Sequence, residues 1–194
     1  EVKRIASEIF TTTMSDFDKI KAVNDYIVLN TTYSKNTTAS PHAAYAILKE
    51  GQGVCQAYAL LAYRLLKEAK IEAYYVTGEV GVEGHAWNLV KLDNEWYHLD
   101  TTWNDPVFNA SAGDMSDFLR YKYFLISDTT IKNDHKIDDK NYPVASSEKY
   151  APLSSVENPV IIDSQWYFPN KNDDIRLYTV DLNKMQTLWE NKLE

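Results

Sequence analysis

The sequence predicts an α+β domain in which helices pack on an antiparallel sheet and one helix starts at a cysteine. Three observations predict it. Apolar residues recur at helical spacing up to about Lys70. Runs rich in β-branched and aromatic residues replace that period after Ile71. Two of those runs are parted only by Asp93-Asn94, the mark of a hairpin. Composition agrees. A chain of 194 residues that is 44% hydrophobic and 13% aromatic can bury a core of ordinary size and is not disordered.

The first predicted helix covers about Asp16 to Leu29. Ser15 and Asp18 have nearly the spacing of a capping box, and Phe17, Ile20, Val23, Ile27 and Val28 supply the apolar face. Ser40 and Pro41 read as the cap and first position of a second helix, which Gly51 stops. A third helix runs from about Cys55 to Lys70, with Tyr58, Leu61, Ala62, Leu65, Leu66 and Ala69 as its buried stripe. Strands follow at IEAYYVTGEV, HAWNLVKL and EWYHLDTTW, with a further one at RYKYFLIS. The polar stretch from Asp128 to Tyr150 is expected to be a long irregular connection. From about Ala151 the pattern is of strands alone, two around a turn at Asn170 to Asp173 and part of a third. A boundary near Ser147 to Pro152 divides residues 1–150 from a β appendage at 151–194 that stops mid-pattern, as the start of a truncated further domain would.

A net charge of −8 argues against nucleic acid and anionic membrane as partners. No apolar run reaches the roughly 18 residues of a membrane span. The chain begins at Glu1 without an initiator Met or signal peptide, which suggests an excised or mature form. Asn30, Asn36 and Asn109 head glycosylation-type triplets, which are common by chance. The acidic stretches at Asn172 to Asp174 and Lys136 to Lys140 lack the ligand spacing of a calcium loop, and no Cys/His pair is spaced for zinc. No metal or cofactor is expected.

Cys55 is the single cysteine, so it forms no disulfide within the chain. At a helix start, free N–H groups and the positive end of the dipole favour its thiolate. Gly51 and Gly53 just before it allow a close approach. Thiolate chemistry also needs a proton carrier and a group that orients it. The hairpin offers both. With the turn at Asp93-Asn94, Trp87 faces Asp100 and His85 faces Thr102, so His85 and Asp100 are diagonal neighbours on one face, roughly 7–8 Å apart at the backbone. A loop one residue longer or shorter would put them on opposite faces. His98 shares that face but sits further from the cleft end. His42 falls in the first turn of a predicted helix, where it caps or packs, and His135 lies in the polar connection and is expected to be solvated. Trp87 and Trp103 flank these residues, as core packing or as a wall that shields the thiol or holds a substrate chain.

The stretches GVCQAYALLAYRLLKEAKIEAYYVTG and GHAWNLVKLDNEWYHLDTTWNDP together resemble the transglutaminase-like superfamily, in its bacterial branch. The shared features are the Cys at a helix start, the YA after it, the VTG strand, HAWN and DTTW, in order. The likeness is closest over His42 to Pro106. It implies a papain-like α+β fold and a triad of Cys55 as nucleophile, His85 as general acid/base and Asp100 as orienter. It also implies a side-chain oxyanion donor upstream of the Cys, for which Tyr33 and Gln52 are the candidates. Family members of this branch often carry a Gly where Ala57 stands, and the sequence leaves open whether the added methyl restricts the cleft. The segment after Ala151 resembles one blade of a propeller-type repeat.

The resemblance implies acyl transfer from a protein or peptide amide through a Cys thioester. Water as acceptor gives a cysteine peptidase or deamidase, which the bacterial likeness favours; a lysine amine gives crosslinking. A non-catalytic binding or scaffold module of a surface protein is the alternative from another class, and an acetyl-transferring relative would need a cofactor pocket that the sequence does not reveal. The modular C-terminal segment suggests an extracellular or cell-surface setting. Substrate and oligomeric state are not encoded in these motifs.

Overall fold

A computed structural model describes residues 1–106, 118–163, 165–170, 176–181 and 186–189. The Asn109 triplet, the acidic Asn172 to Asp174 and most of the turn expected after Asn170 lie outside the described residues.

Helix α1 (Val2–Ile9) was not signalled by the sequence: it is short, it opens the chain, and no side chain caps it. Ile5 and Ala6 nonetheless bury one face of it. Helix α2 (Asp16–Asn30) starts at the expected capping box, with Ser15 and Asp18 bonded reciprocally. A two-residue strand β1 (Thr32–Tyr33) leads on to α3 (Ala44–Glu50). The Ser40-Pro41 signal therefore marks a turn rather than the helix start, and His42 is exposed before the helix. Gly51 ends α3 in the left-handed region at φ +67°. Strand β2 (Gln52–Gly53) then pairs with β1 in parallel and delivers the chain to α4 (Cys55–Glu68). The predicted stripe of α4 is buried throughout.

Strands β3 (Ala73–Val80), β4 (Glu83–Leu92) and β5 (Glu95–Leu99) form an antiparallel meander. The β4–β5 turn is Asp93-Asn94, and both residues have positive φ, 53° and 64°, as a two-residue I′ turn requires. The register pairs Asn88 with Leu99 and Leu89 with His98, as the hairpin count expected. Pairing stops there: EWYHLDTTW is not one strand, because its second half turns into the one-turn helix α5 (Thr101–Asn104) capped by Asp100. Strand β6 (Phe124–Ile126) joins β5 with a register shift between His98 and Leu99, where Leu125 has φ 55°.

The connection expected to be irregular contains α6 (Asp128–Ile131) and β7 (His135–Ile137). β7 pairs with the free side of β3, giving a five-stranded sheet in the order β6-β5-β4-β3-β7. Gly78 makes this possible. A Cβ there would lie 2.1 Å from the Lys136 carbonyl oxygen and 2.7 Å from the Trp87 ring. A 3-10 turn at Ala151–Ser155 leads to a second antiparallel sheet of β8 (Val160–Ile162), β9 (Gln165–Asn170), β10 (Arg176–Asp181) and β11 (Gln186–Trp189), in the order β11-β10-β9-β8.

Helices α1, α2 and α4 and the inner residues of β4 to β6 share one apolar core. Trp166, Phe168 and Val180 of the second sheet lie in that same core, and the Trp166 ring stands 4.8 Å from Tyr121 and 6.1 Å from Phe17. The architecture is the expected α+β class, helices on an antiparallel sheet. Among the described residues no helix is long and apolar enough to cross a membrane.

Candidate active site

Cys55 is the first residue of α4, after Val54, whose side chain caps nothing. The leading N–H groups are thus left for the site. The Gln56 and Ala86 N–H groups point at the Cys55 sulfur, and the Cys55 N–H donates to the Tyr33 hydroxyl. The tight entry depends on Gly53, where a Cβ would fall 2.8 Å from the Ala57 Cβ. That contact answers the question left open about Ala57. Its methyl is fully buried against Gly53 in the core and does not narrow the cleft.

His85 on β4 and Asp100 at the start of α5 meet the cysteine. His85 Nε2 lies 2.6 Å from Asp100 Oδ2, and the ring's other side hydrogen-bonds the Cys55 thiol. The expected diagonal contact is made, although Asp100 reaches it from a helix cap just beyond the strand. Its two oxygens are divided between tasks. Oδ1 accepts from the Thr102 and Trp103 N–H groups, at 3.0 and 3.1 Å, and Oδ2 faces the imidazoles. Helix α5 is itself anchored, because Asn104 donates to Asn24 Oδ1 of α2 and accepts from the Tyr123 N–H.

The charges follow from these contacts. Burial alone would raise the Asp100 carboxyl, but His85 and His135 overcome it and hold the group at about 2. An ionised Asp100 only accepts, so His85 Nε2 donates and Nδ1 is the atom presented to sulfur. Burial opposes a charged His85 as well, yet Asp100 and the thiol raise it well above its ordinary value. Burial pushes the Cys55 thiol up; the His85 bond and charge, helped by the Ala86 and Gln56 N–H groups, bring it below its ordinary value. Each shift favours the thiolate–imidazolium form.

His135 is the residue whose expected place the structure corrects. Rather than being solvated, it is buried, with Nε2 3.1 Å from Asp100 Oδ2 and Nδ1 2.6 Å from Asp134 Oδ1. The rings of Trp87, Trp103, Tyr123 and His85 surround it, with centroids 5.0–5.4 Å away. Its sequence signal is faint: the alternation of His135 and Ile137 about Lys136 in a three-residue strand. His98 sits on the expected face but away from the thiol. It accepts the Trp87 indole N–H on Nδ1, so Nε2 carries the proton toward Asp128. Burial lowers its proton affinity, which fits a neutral, structural ring.

A cleft of about 600 Å³ opens over Cys55 and His85, lined also by Tyr33, Trp103, Tyr123 and Lys122. Tyr33 and Trp103 are thus in the site. Trp87 lies beneath it, stacked on His85 at 5.7 Å. Gln52 is half-buried in β2 and is not among the residues lining the cleft. Asn88 donates to the Ala59 and Tyr74 carbonyls, tying α4 to the sheet. Nitrogens of His85 and His135 and an oxygen of Asp100 lie within 4.8 Å of one another, as a metal's ligands would. The separations of 2.6 and 3.1 Å are those of direct hydrogen bonds, so the trio reads as a proton network.

Comparison with known proteins adds the family. Two curated relatives are similar over most of the chain: kyphoscoliosis peptidase of mouse, 22% identical over 86% of this chain, and of human, 22% identical over 84%. The chain spans 27% of the length of each. Among solved structures, a protein named as a candidate cysteine protease from Cytophaga hutchinsonii is 21% identical and superposes with a TM-score of 0.48, over 70% of this chain and 39% of its own. The family model described as the transglutaminase-like superfamily matches residues 3–101, half of the chain, and takes in Cys55, His85 and Asp100. The chain belongs to the transglutaminase-like superfamily.

Proposed function

We propose that the protein is a thiol-dependent acyl-transfer enzyme that acts on protein or peptide amides and passes the acyl group to water, as a cysteine peptidase or deamidase. The observation that carries this is the line Cys55–His85–Asp100, with the thiol hydrogen-bonded to one side of an imidazole and the carboxylate 2.6 Å from the other. The Cys55 thiolate attacks the amide carbonyl, and the C–N bond breaks as His85 gives its proton to the departing nitrogen. A Cys55 thioester remains. Water then attacks the thioester while His85 takes its proton, and the C–S bond breaks to release the acid and restore the thiolate. The Tyr33 hydroxyl, which accepts from the Cys55 N–H, keeps its own hydrogen to donate to the carbonyl oxygen as it becomes negative. Hydrolysis is preferred because both curated relatives are named as peptidases.

A glutamine peptide offered with an amine probe tests the reading. Backbone cleavage or ammonia release, absent from Cys55→Ala, is the expected result. Probe incorporation that depends on Cys55 would replace hydrolysis by crosslinking, and an inert thiol with no turnover would leave a binding module.

A further inference from the structure

The three-residue line needs one partner on Asp100 Oδ2, and the structure supplies two. His135 Nε2 reaches the same oxygen that holds His85. Its other nitrogen is fixed by Asp134, whose second oxygen accepts the Tyr123 hydroxyl at 2.6 Å. The ring therefore has one orientation, with Nε2 aimed at a carboxylate that only accepts. An unprotonated Nε2 there would set lone pair against lone pair. A phenyl ring would fill the same aromatic cage equally well, so packing does not explain an imidazole at this place.

We propose that His135 is a positioning residue of this site: its Nε2–H donates to the Asp100 oxygen shared with His85 and thereby sets how tightly His85 keeps its proton beside Cys55. The inference rests on the reading of Cys55 and His85 as the reacting pair. Two donors on one oxygen divide its electron density, so each is held less strongly than it would be alone. His85 must hold its proton to keep the thiolate, yet release it to the leaving nitrogen. An undivided Asp100 would favour the first at the expense of the second. The carboxylate does not swing away if His135 is removed, because Oδ1 stays bonded to the Thr102 and Trp103 N–H groups. The effect is thus electrical rather than a loss of place.

The charged and titratable groups facing His135 are Asp134 beside it, Asp100 at the start of α5, His85 on β4 and His98 on β5, with the Tyr123 hydroxyl behind Asp134. Lys136 points away and pairs with Glu79.

Imidazole nitrogen NMR of the chain as it stands is the direct test. The wild-type spectrum is expected to show a proton on His135 Nε2. In His135→Phe, His85 is expected to keep its proton to a pH roughly one unit higher. In His135→Gln, whose amide restores a donor, His85 returns most of the way to its wild-type titration. Amide turnover falls about 10- to 100-fold in the Phe variant and recovers in the Gln variant. A bare His135 Nε2 in the wild type, or a folded His135→Phe in which His85 titrates unchanged, overturns the proposal. Should the Phe variant not fold, Asp134→Asn, which loosens the ring's orientation, must move His85 in the same direction, and no movement overturns the proposal. An ordinary thiol pH profile for wild-type Cys55 alkylation would instead bring down the acyl-transfer reading, while the His85 titration is still read independently.

Discussion

Asp100→Asn preserves the volume of a fully buried side chain and changes what one of its end atoms offers. Oδ1 still caps α5. The amide nitrogen that replaces Oδ2 presents hydrogens to His85 Nε2 and His135 Nε2, which are themselves donors. His85 escapes only by moving its proton to Nδ1, where it can no longer accept one from Cys55. The stability cost follows from the carboxyl, which the fold holds at about 2 against an ordinary 3.8. That difference amounts to about 2–3 kcal/mol at neutral pH. For a chain of this size it lowers Tm by about 5–10 °C. A depressed carboxyl contributes above its unfolded value and loses that contribution as pH falls through its folded one. The two proteins should therefore differ fully above about pH 4 and converge toward about pH 2. Because Cys55 is the single cysteine, iodoacetamide uptake by mass spectrometry reads this site alone. The alkylation midpoint should rise in the variant, since burial of the thiol is no longer opposed by an imidazolium, and amide turnover should fall about 10⁴-fold. A variant that melts like the wild type at pH 7 and alkylates with the same midpoint would refute this account of Asp100.

Three further outcomes are expected. Gly78→Ala forces a Cβ against the Lys136 carbonyl and the Trp87 ring, and should cost about 3 kcal/mol in urea unfolding as β7 is pushed from β3. Tyr33→Phe removes the hydroxyl at the Cys55 N–H; turnover should fall at least about 10-fold while alkylation at neutral pH stays near wild type, and equal losses in both would count against an oxyanion role. Asp105, raised to about 6 chiefly by burial against the partial relief of its Tyr58 bond, takes up a proton on folding. Its ionisation weakens the fold as pH rises from about 4 to about 6, so Asp105→Asn should gain about 1–3 kcal/mol over wild type across that window and hold the gain at pH 8 in thermal melts.

Legibility in the sequence tracked how local each determinant is. The Ser15–Asp18 capping box and the stripe from Tyr58 to Ala69 are patterns within one helix, and both appear where expected. The Asp93-Asn94 turn fixes the His85–Asp100 register because a two-residue loop leaves no freedom to slip. The Asp100 cap is hidden because DTTW continues a strand-like pattern, while the β4–β5 pairing ends at Leu99 and the chain turns into α5. His135 was missed for a different reason. Its strand is three residues long in a polar stretch, and its burial depends on Gly78, 57 positions earlier, having no side chain. The effect of Ala57 is not legible because a methyl's destination depends on its packing against Gly53, not on its distance in sequence from the thiol.

The divided carboxylate of Asp100 has a consequence for how the protein can be monitored. One oxygen closes the first turn of α5 while the other faces His85, so a molecule in which that turn frays is also one whose thiol is disarmed. The Thr102 and Trp103 amides are held by the same group, and their deuterium uptake becomes a gauge of the fraction of molecules able to react at any instant. A substrate that closes on the cleft and slows that uptake would reveal its binding without a single bond being cut.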